Sequence, residues 1–250
     1  MNKIVTSGLT PAIERTAVDY HTRHDPHRRA SGLSDIILGG QDGLVNVLGV
    51  ILGVAAATSD TQIVMVAGLA ATVAESISMG AVAYTSRLAE SAFYESERAR
   101  EYRHIARVPE LERQEIYEIY QQKGFNDELL EHIVNTITAD EDTWVQVMMA
   151  EEHGLSPINR QHAFRAALVV GISAVIGSLV PLIPFIFLSV KTSIAASIAL
   201  SALTLFLVGA YKARVMVGSP GKSGLEMAVI GTVSALAGYV VGLLLKVPGS

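Results

Sequence analysis

The stretch Gly39–Asp60, GGQDGLVNVLGVILGVAAATSD, decides how the rest of the chain is read. From Leu33 to Thr58 the residues are almost all apolar or small, and only Asp35 and Asp42 carry formal charge. A helix of about 20 such residues crosses a hydrocarbon core of roughly 30 Å. Asp42 lies inside the run, not at its edge. A carboxylate at that depth costs about 2.5–3.5 kcal/mol on insertion scales, so it faces a bundle interior, a water-filled path or a cation. By itself the segment predicts a membrane protein that binds or moves something positive.

The composition points the same way. Half of the 250 residues are hydrophobic and only 17% are charged, which excludes an ordinary soluble domain and fits several spans plus one polar segment. The chain has no cysteine, which removes disulfides, thiolate metal sites and cysteine nucleophiles together. Any metal site must draw on carboxylate, imidazole or thioether. The net charge of −5 conceals an uneven layout, concentrated before residue 30 and between residues 87 and 165. The first thirty residues are polar and histidine-rich, so no cleavable signal peptide is expected and insertion relies on the first span.

Residues 1–32 read as a polar tail in which His21, His24 and His27 recur every three positions. They are candidate metal ligands, but Pro26 interrupts a helical face, and with Arg23, Arg28 and Arg29 they also read as a basic juxtamembrane anchor. The first span covers 33–58 and carries Gly39-x3-Gly43 and Gly49-x3-Gly53, spacings that let helix backbones approach closely. After a turn at Ser59-Asp60-Thr61, a second span covers 61–86, with Glu75 and Met79 one turn apart on one face. A second carboxylate at mid-membrane is hard to treat as structural; Met79 alone reads as packing.

After Arg87 the chain turns polar without a helix breaker until Pro109, so the second span continues as one helix to Arg107. Pro109 opens a further helix that Lys123-Gly124 ends, and a third element runs from Asn126 or Asp127 to Glu152-His153. Three more spans follow at 164–188, ending in Pro181 and Pro184, at 191–211 and at 224–245; they read as scaffold. Gly218-Ser-Pro-Gly-Lys-Ser223 lacks the strand and spacing of a phosphate-binding loop and reads as a connecting loop. The expectation is an all-α membrane protein of five transmembrane helices, with a helical domain inserted between helices 2 and 3. Its segments are a tail (1–32), helices 1 and 2 (33–88), the insert (89–160) and helices 3 to 5 (161–250). With the N-terminus and the insert in the cytosol, seventeen of the nineteen lysines and arginines lie inside, leaving Lys191 and Lys246 outside.

The insert is rich in glutamate. One account is a solvated acidic bundle with pairs such as Glu97–Arg100 and Glu101–Arg98. Against it, Glu101 and His104 share a helical face, as do Glu112 and Glu115, and Met148, Met149 and Glu152 bring thioether and carboxylate together. Oxygen, nitrogen and sulfur in one cluster suit Fe²⁺, Co²⁺ or Zn²⁺ better than Mg²⁺ or Ca²⁺.

GGQDGLVNVLGVILGVA, then AESISMGAVAY, then an acidic insert closing in MMAEEHGL, resembles the vacuolar iron transporter family from about residue 31 onward. The resemblance implies a five-span homodimer that exchanges cytosolic Fe²⁺ for protons, the metal being substrate and not cofactor. It implies that Asp42 and Met79 line the path, with Glu75 near it, and that Glu101, Glu112, Glu115, Met148, Met149 and Glu152 bind metal in the insert. His104 stands where the family pattern has a further glutamate; imidazole remains a good ligand for Fe²⁺ or Zn²⁺.

The leading expectation is therefore a proton-coupled antiporter, not an enzyme, that exports Fe²⁺, with Mn²⁺, Co²⁺ and Zn²⁺ as further substrates. Its partners are membrane lipid, metal ions, protons and a second copy of the chain, with no nucleic acid. Two alternatives stand beside it: a membrane-anchored di-iron ferroxidase, suggested by Glu101-x-x-His104 but lacking a second such motif, and a metal sensor that moves nothing. A bacterial cytoplasmic membrane and a vacuolar membrane both satisfy the topology, and the lack of sorting signals favours the bacterial one.

Overall fold

A computed structural model describes residues 26–58, 60–157, 160–216 and 218–245. His21, His24 and the side chain of His27 lie outside the described residues. The described chain is all helical: α1 (Pro26–Ala57), α2 (Thr61–Arg107), α3 (Pro109–Gln122), α4 (Asp127–Thr138), α5 (Glu141–Glu151), α6 (Arg160–Leu179), α7 (Ile183–Phe187), α8 (Val190–Val215) and α9 (Pro220–Leu244). A 3₁₀ turn, Val180–Leu182, joins α6 to α7. Five helical segments are long and apolar enough to cross a membrane, among them α2, which runs for 47 residues. At 1.5 Å per residue α2 is about 70 Å long, more than twice a hydrocarbon core.

The chain divides into two compact units, one of residues up to Ser76 together with Val169 onward, the other Ile77–Leu168. In the first unit α1 is the central element, and its glycines explain why. An added Cβ at Gly39 or Gly43 would lie 2.2 and 2.4 Å from the carbonyl oxygens of Val170 and Ala174 on α6. Toward the other end, Gly53 and Gly242 of α9 meet backbone to backbone, a Cβ on Gly242 falling 2.0 Å from the Gly53 oxygen. Both small-residue spacings seen in the sequence are thus helix–helix contacts. Val47, Leu48, Ile51 and Leu52 fill the core between them with Val64, Leu182 and Phe185.

Pro181 and Pro184 break the third span into α6, the 3₁₀ turn and α7. Backbone groups freed by such a break need partners where water is absent. The buried hydroxyls of Ser193 and Ser197 on α8 donate to the carbonyls of Pro184 and Pro181, at 3.2 and 2.7 Å.

The second unit has its own apolar core of Tyr94, Ile105, Ile116, Leu130, Val134, Trp144, Val145, Met148 and Met149. Two expectations about elements are corrected. The single element expected from Asn126 to Glu152 is two helices, because the Asp140 carboxylate accepts the Thr143 N–H at 2.8 Å and caps a new start. The segment 218–223 is not all loop: Pro220 occupies the first turn of α9, so Lys222 and Ser223 are helical.

Candidate functional site

Two clusters of ionisable groups stand out, one in each unit. In the first unit Asp42 and Asn46 lie one turn apart on α1, and Glu75 reaches them from α2. The Asn46 amide donates to Asp42 Oδ2 at 3.1 Å and to Glu75 Oε1 at 3.0 Å. A neutral amide thus holds two carboxylates of different helices together, a geometry that favours sharing a proton or a cation over repulsion. Asn46 also lines a groove of about 540 Å³ walled by Gly49, Gly53, Gly238, Gly242 and apolar residues of α1 and α9. Met79 follows Glu75 by one turn of α2 and is half-buried. Asn46 was missed by sequence reasoning because an uncharged residue in an apolar run carries no signal. Its only clue is its spacing of four from Asp42.

The second cluster surrounds a cavity of about 250 Å³ whose lining includes Glu101, His104, Glu112, Glu115, Glu152 and His153. Each arrives from a different local cause. Glu101 and His104 are one turn apart near the end of α2, and Glu112 and Glu115 are one turn apart on α3. Glu152 and His153 follow α5, where Gly154 takes a φ of 63° and the Leu155 N–H returns to the Met149 carbonyl at 2.8 Å. That left-handed cap fixes the direction of both side chains.

Glu101 and Glu112 are 2% and 3% exposed, and each has one carboxylate oxygen, Oε2, buried without a hydrogen-bond partner. His104 Nδ1 lies 3.4 Å from Glu112 Oε1, and His153 Nε2 lies 2.9 Å from Glu101 Oε1. Burial pushes the Glu112 carboxyl up to about 7, and the charges of Glu115, Glu101 and Glu152 add to it. Burial also raises Glu152; the neighbouring His153 opposes that shift, and the charges of Glu115 and Glu101 reinforce it. Arg100 also lines the cavity and lowers Glu152 slightly, but it pairs with Glu97, and the four carboxylates outnumber it.

Five of the seven residues expected from sequence therefore meet at one cavity: Glu101, His104, Glu112, Glu115 and Glu152. Met148 and Met149 are fully buried in the apolar core of the unit, packed near Ile116 and Trp144, and are not among the lining residues. The expected Glu97–Arg100 pair forms. The Glu101–Arg98 pair does not: Arg98 pairs with Glu95 and Tyr102, while Glu101 is buried against His153. His153 was missed because it has no helical neighbour in register and meets Glu101 from 52 positions away.

Comparison with known proteins identifies the family. The sequence pattern of the VIT family matches residues 33–243. A protein of Eucalyptus grandis named Vacuolar iron transporter 1 is 34% identical over 206 residues, 82% of this chain and 83% of that one. Its namesake in Oryza sativa subsp. japonica is 32% identical over 235 residues, 93% of each chain. A Vacuolar iron transporter of Toxoplasma gondii is 30% identical over 90% of this chain and 78% of its own. By a pattern that covers most of its length and by relatives of that identity, the chain belongs to the VIT family.

Proposed function

We propose that this protein is a proton-coupled antiporter that moves Fe²⁺ out of the cytosol, with Mn²⁺, Co²⁺ and Zn²⁺ as further substrates, and that it works as a homodimer. The observation that carries the reading is the Asp42–Asn46–Glu75 constellation, two carboxylates from separate apolar helices joined by one amide. A structural role would be served as well by apolar residues, at lower cost of insertion. The names of the relatives supply the metal.

The mechanism follows from competition. A carboxylate binds either a proton or a divalent cation, so Asp42 and Glu75 exchange one for the other. Asn46 holds one oxygen of each carboxylate on a single amide nitrogen, and Met79, one turn along α2 from Glu75, is proposed to add a soft thioether that a transition ion accepts and Mg²⁺ does not. Protonation from the acidic side releases the ion there; deprotonation on the cytosolic side readies the pair for the next. The cavity around Glu101 and Glu112 is proposed to face the cytosol, gathering ions and raising their local concentration. Met148 and Met149, buried in the apolar core of that unit and absent from the cavity lining, would contribute thioethers only after a rearrangement of the core.

Fe²⁺ uptake into proteoliposomes tests the path. D42N and E75Q should each lower the flux to that of empty vesicles while leaving metal binding to the insert intact. Wild-type flux in both variants would contradict it.

A further inference from the structure

His153 has no part in the reading above, yet the fold holds it firmly. The Gly154 cap keeps its ring 19% exposed, with Nε2 at 2.9 Å from Glu101 Oε1 and 3.8 Å from Glu152 Oε2. Ligand-capable atoms of Glu101, Glu152 and His153 all lie within 4.8 Å of one another, and so do those of Glu101, His104 and Glu112. Each set has two carboxylates and one imidazole, and Glu101 belongs to both.

Glu101 Oε1 faces His153 while its Oε2 is buried and unpartnered, as is Glu112 Oε2. A buried acceptor without a donor is expensive, and more so when charged. Among the described residues no arginine or lysine is hydrogen-bonded to either oxygen; Arg100, which also lines the cavity, pairs with Glu97. A cation in each set would satisfy these oxygens, with the two oxygens of Glu101 serving one ion apiece.

We propose that His153 is a metal ligand, and that with His104 it makes the cavity a paired nitrogen–oxygen site in which two ions share Glu101. This rests on the reading of the insert as a metal-gathering site and adds its selectivity. A set of carboxylates alone suits Mn²⁺, Mg²⁺ or Ca²⁺; one imidazole per ion shifts preference toward Fe²⁺, Co²⁺ and Zn²⁺. Three protein ligands leave coordination positions to water, which suits an ion that must depart again.

The test counts ions on the full-length protein in detergent, stripped with chelator and dialysed against Zn²⁺ at fixed pH with excess Mg²⁺. H153Q and H104Q should each bind one Zn²⁺ fewer than wild type, and E101Q two fewer. H153E separates ligation from a structural role. As a ligand replacement it should restore the count while lowering the preference for Zn²⁺ over Mn²⁺ about tenfold. Wild-type stoichiometry in H153Q, or an H153E that binds no better than H153Q, would overturn the proposal. Fe²⁺ flux on the same preparations separates the two readings. Normal flux with an unchanged ion count in H153Q defeats this inference alone; absent wild-type flux with one ion lost in H153Q defeats the transport reading alone.

Discussion

Asn46 bridges Asp42 and Glu75 through a single amide nitrogen, so its removal leaves two carboxylates adjacent without a shared donor. N46L should lower Fe²⁺ flux by roughly tenfold, the equivalent of about one hydrogen bond, yet less than D42N does. Flux kinetics in vesicles would check this, and an N46L protein with wild-type flux would remove the amide from the mechanism. Glu112 offers a second handle at the same scale. Its pKa stands near 7 in the folded protein against 4.5 when unfolded, because burial and neighbouring carboxylates disfavour its charge. The folded state therefore holds more protons between those values, and stability of the metal-free protein falls as pH rises from about 4.5 through about 7. E112Q removes that penalty. It should stabilise chelator-treated protein by up to about 3 kcal/mol at pH 8 and leave it unchanged at pH 4. Thermal unfolding at the two pH values decides, and equal effects at both would show that the shift plays no part.

At the scale of the helix, α1 is held by backbone contact at its glycines. Gly242→Ala places a methyl 2.0 Å from the Gly53 carbonyl oxygen and should cost about 1–3 kcal/mol, read as a lowered unfolding temperature in detergent. Gly221→Ala on the same helix meets nothing within 4 Å and should leave stability unchanged or slightly raised. Equal behaviour of the two would mean that the helices are not this close. These contacts were legible beforehand, since Gly39-x3-Gly43 and Gly49-x3-Gly53 are local patterns, as were the apolar runs and the Pro109 and Gly124 boundaries. The break at Asp140 was not. It uses neither glycine nor proline, only a carboxylate three residues before Thr143. Helix-face spacing likewise gathered Glu101 with His104 and Glu112 with Glu115, because each pair is local. It could not find His153, whose partner Glu101 lies 52 positions away, or the bridging role of Asn46, whose second partner Glu75 comes from another helix. Nor could it distinguish the buried faces of Met148 and Met149 from a ligand position: a methionine beside a glutamate has the same spacing whether it points to core or to cavity.

For the whole molecule, the proposed orientation rests on the uneven distribution of lysine and arginine, and the absence of cysteine makes it easy to test. A single cysteine at Ser156, beyond α5, should resist a membrane-impermeant maleimide in intact cells and react after lysis. One at Ser189, between α7 and α8, should react from outside. The reverse pattern would turn the protein over and with it the direction of transport. That direction, and the coupling that drives it, is the central claim. It is tested most directly by loading proteoliposomes with a pH indicator, imposing an acidic lumen, and following Fe²⁺ entry and proton exit together. The account predicts that Fe²⁺ enters only while the lumen is acidic, that each influx is matched by lumenal alkalinisation, and that D42A abolishes both. Fe²⁺ entry without proton movement, or coupled entry that persists in D42A, would contradict it.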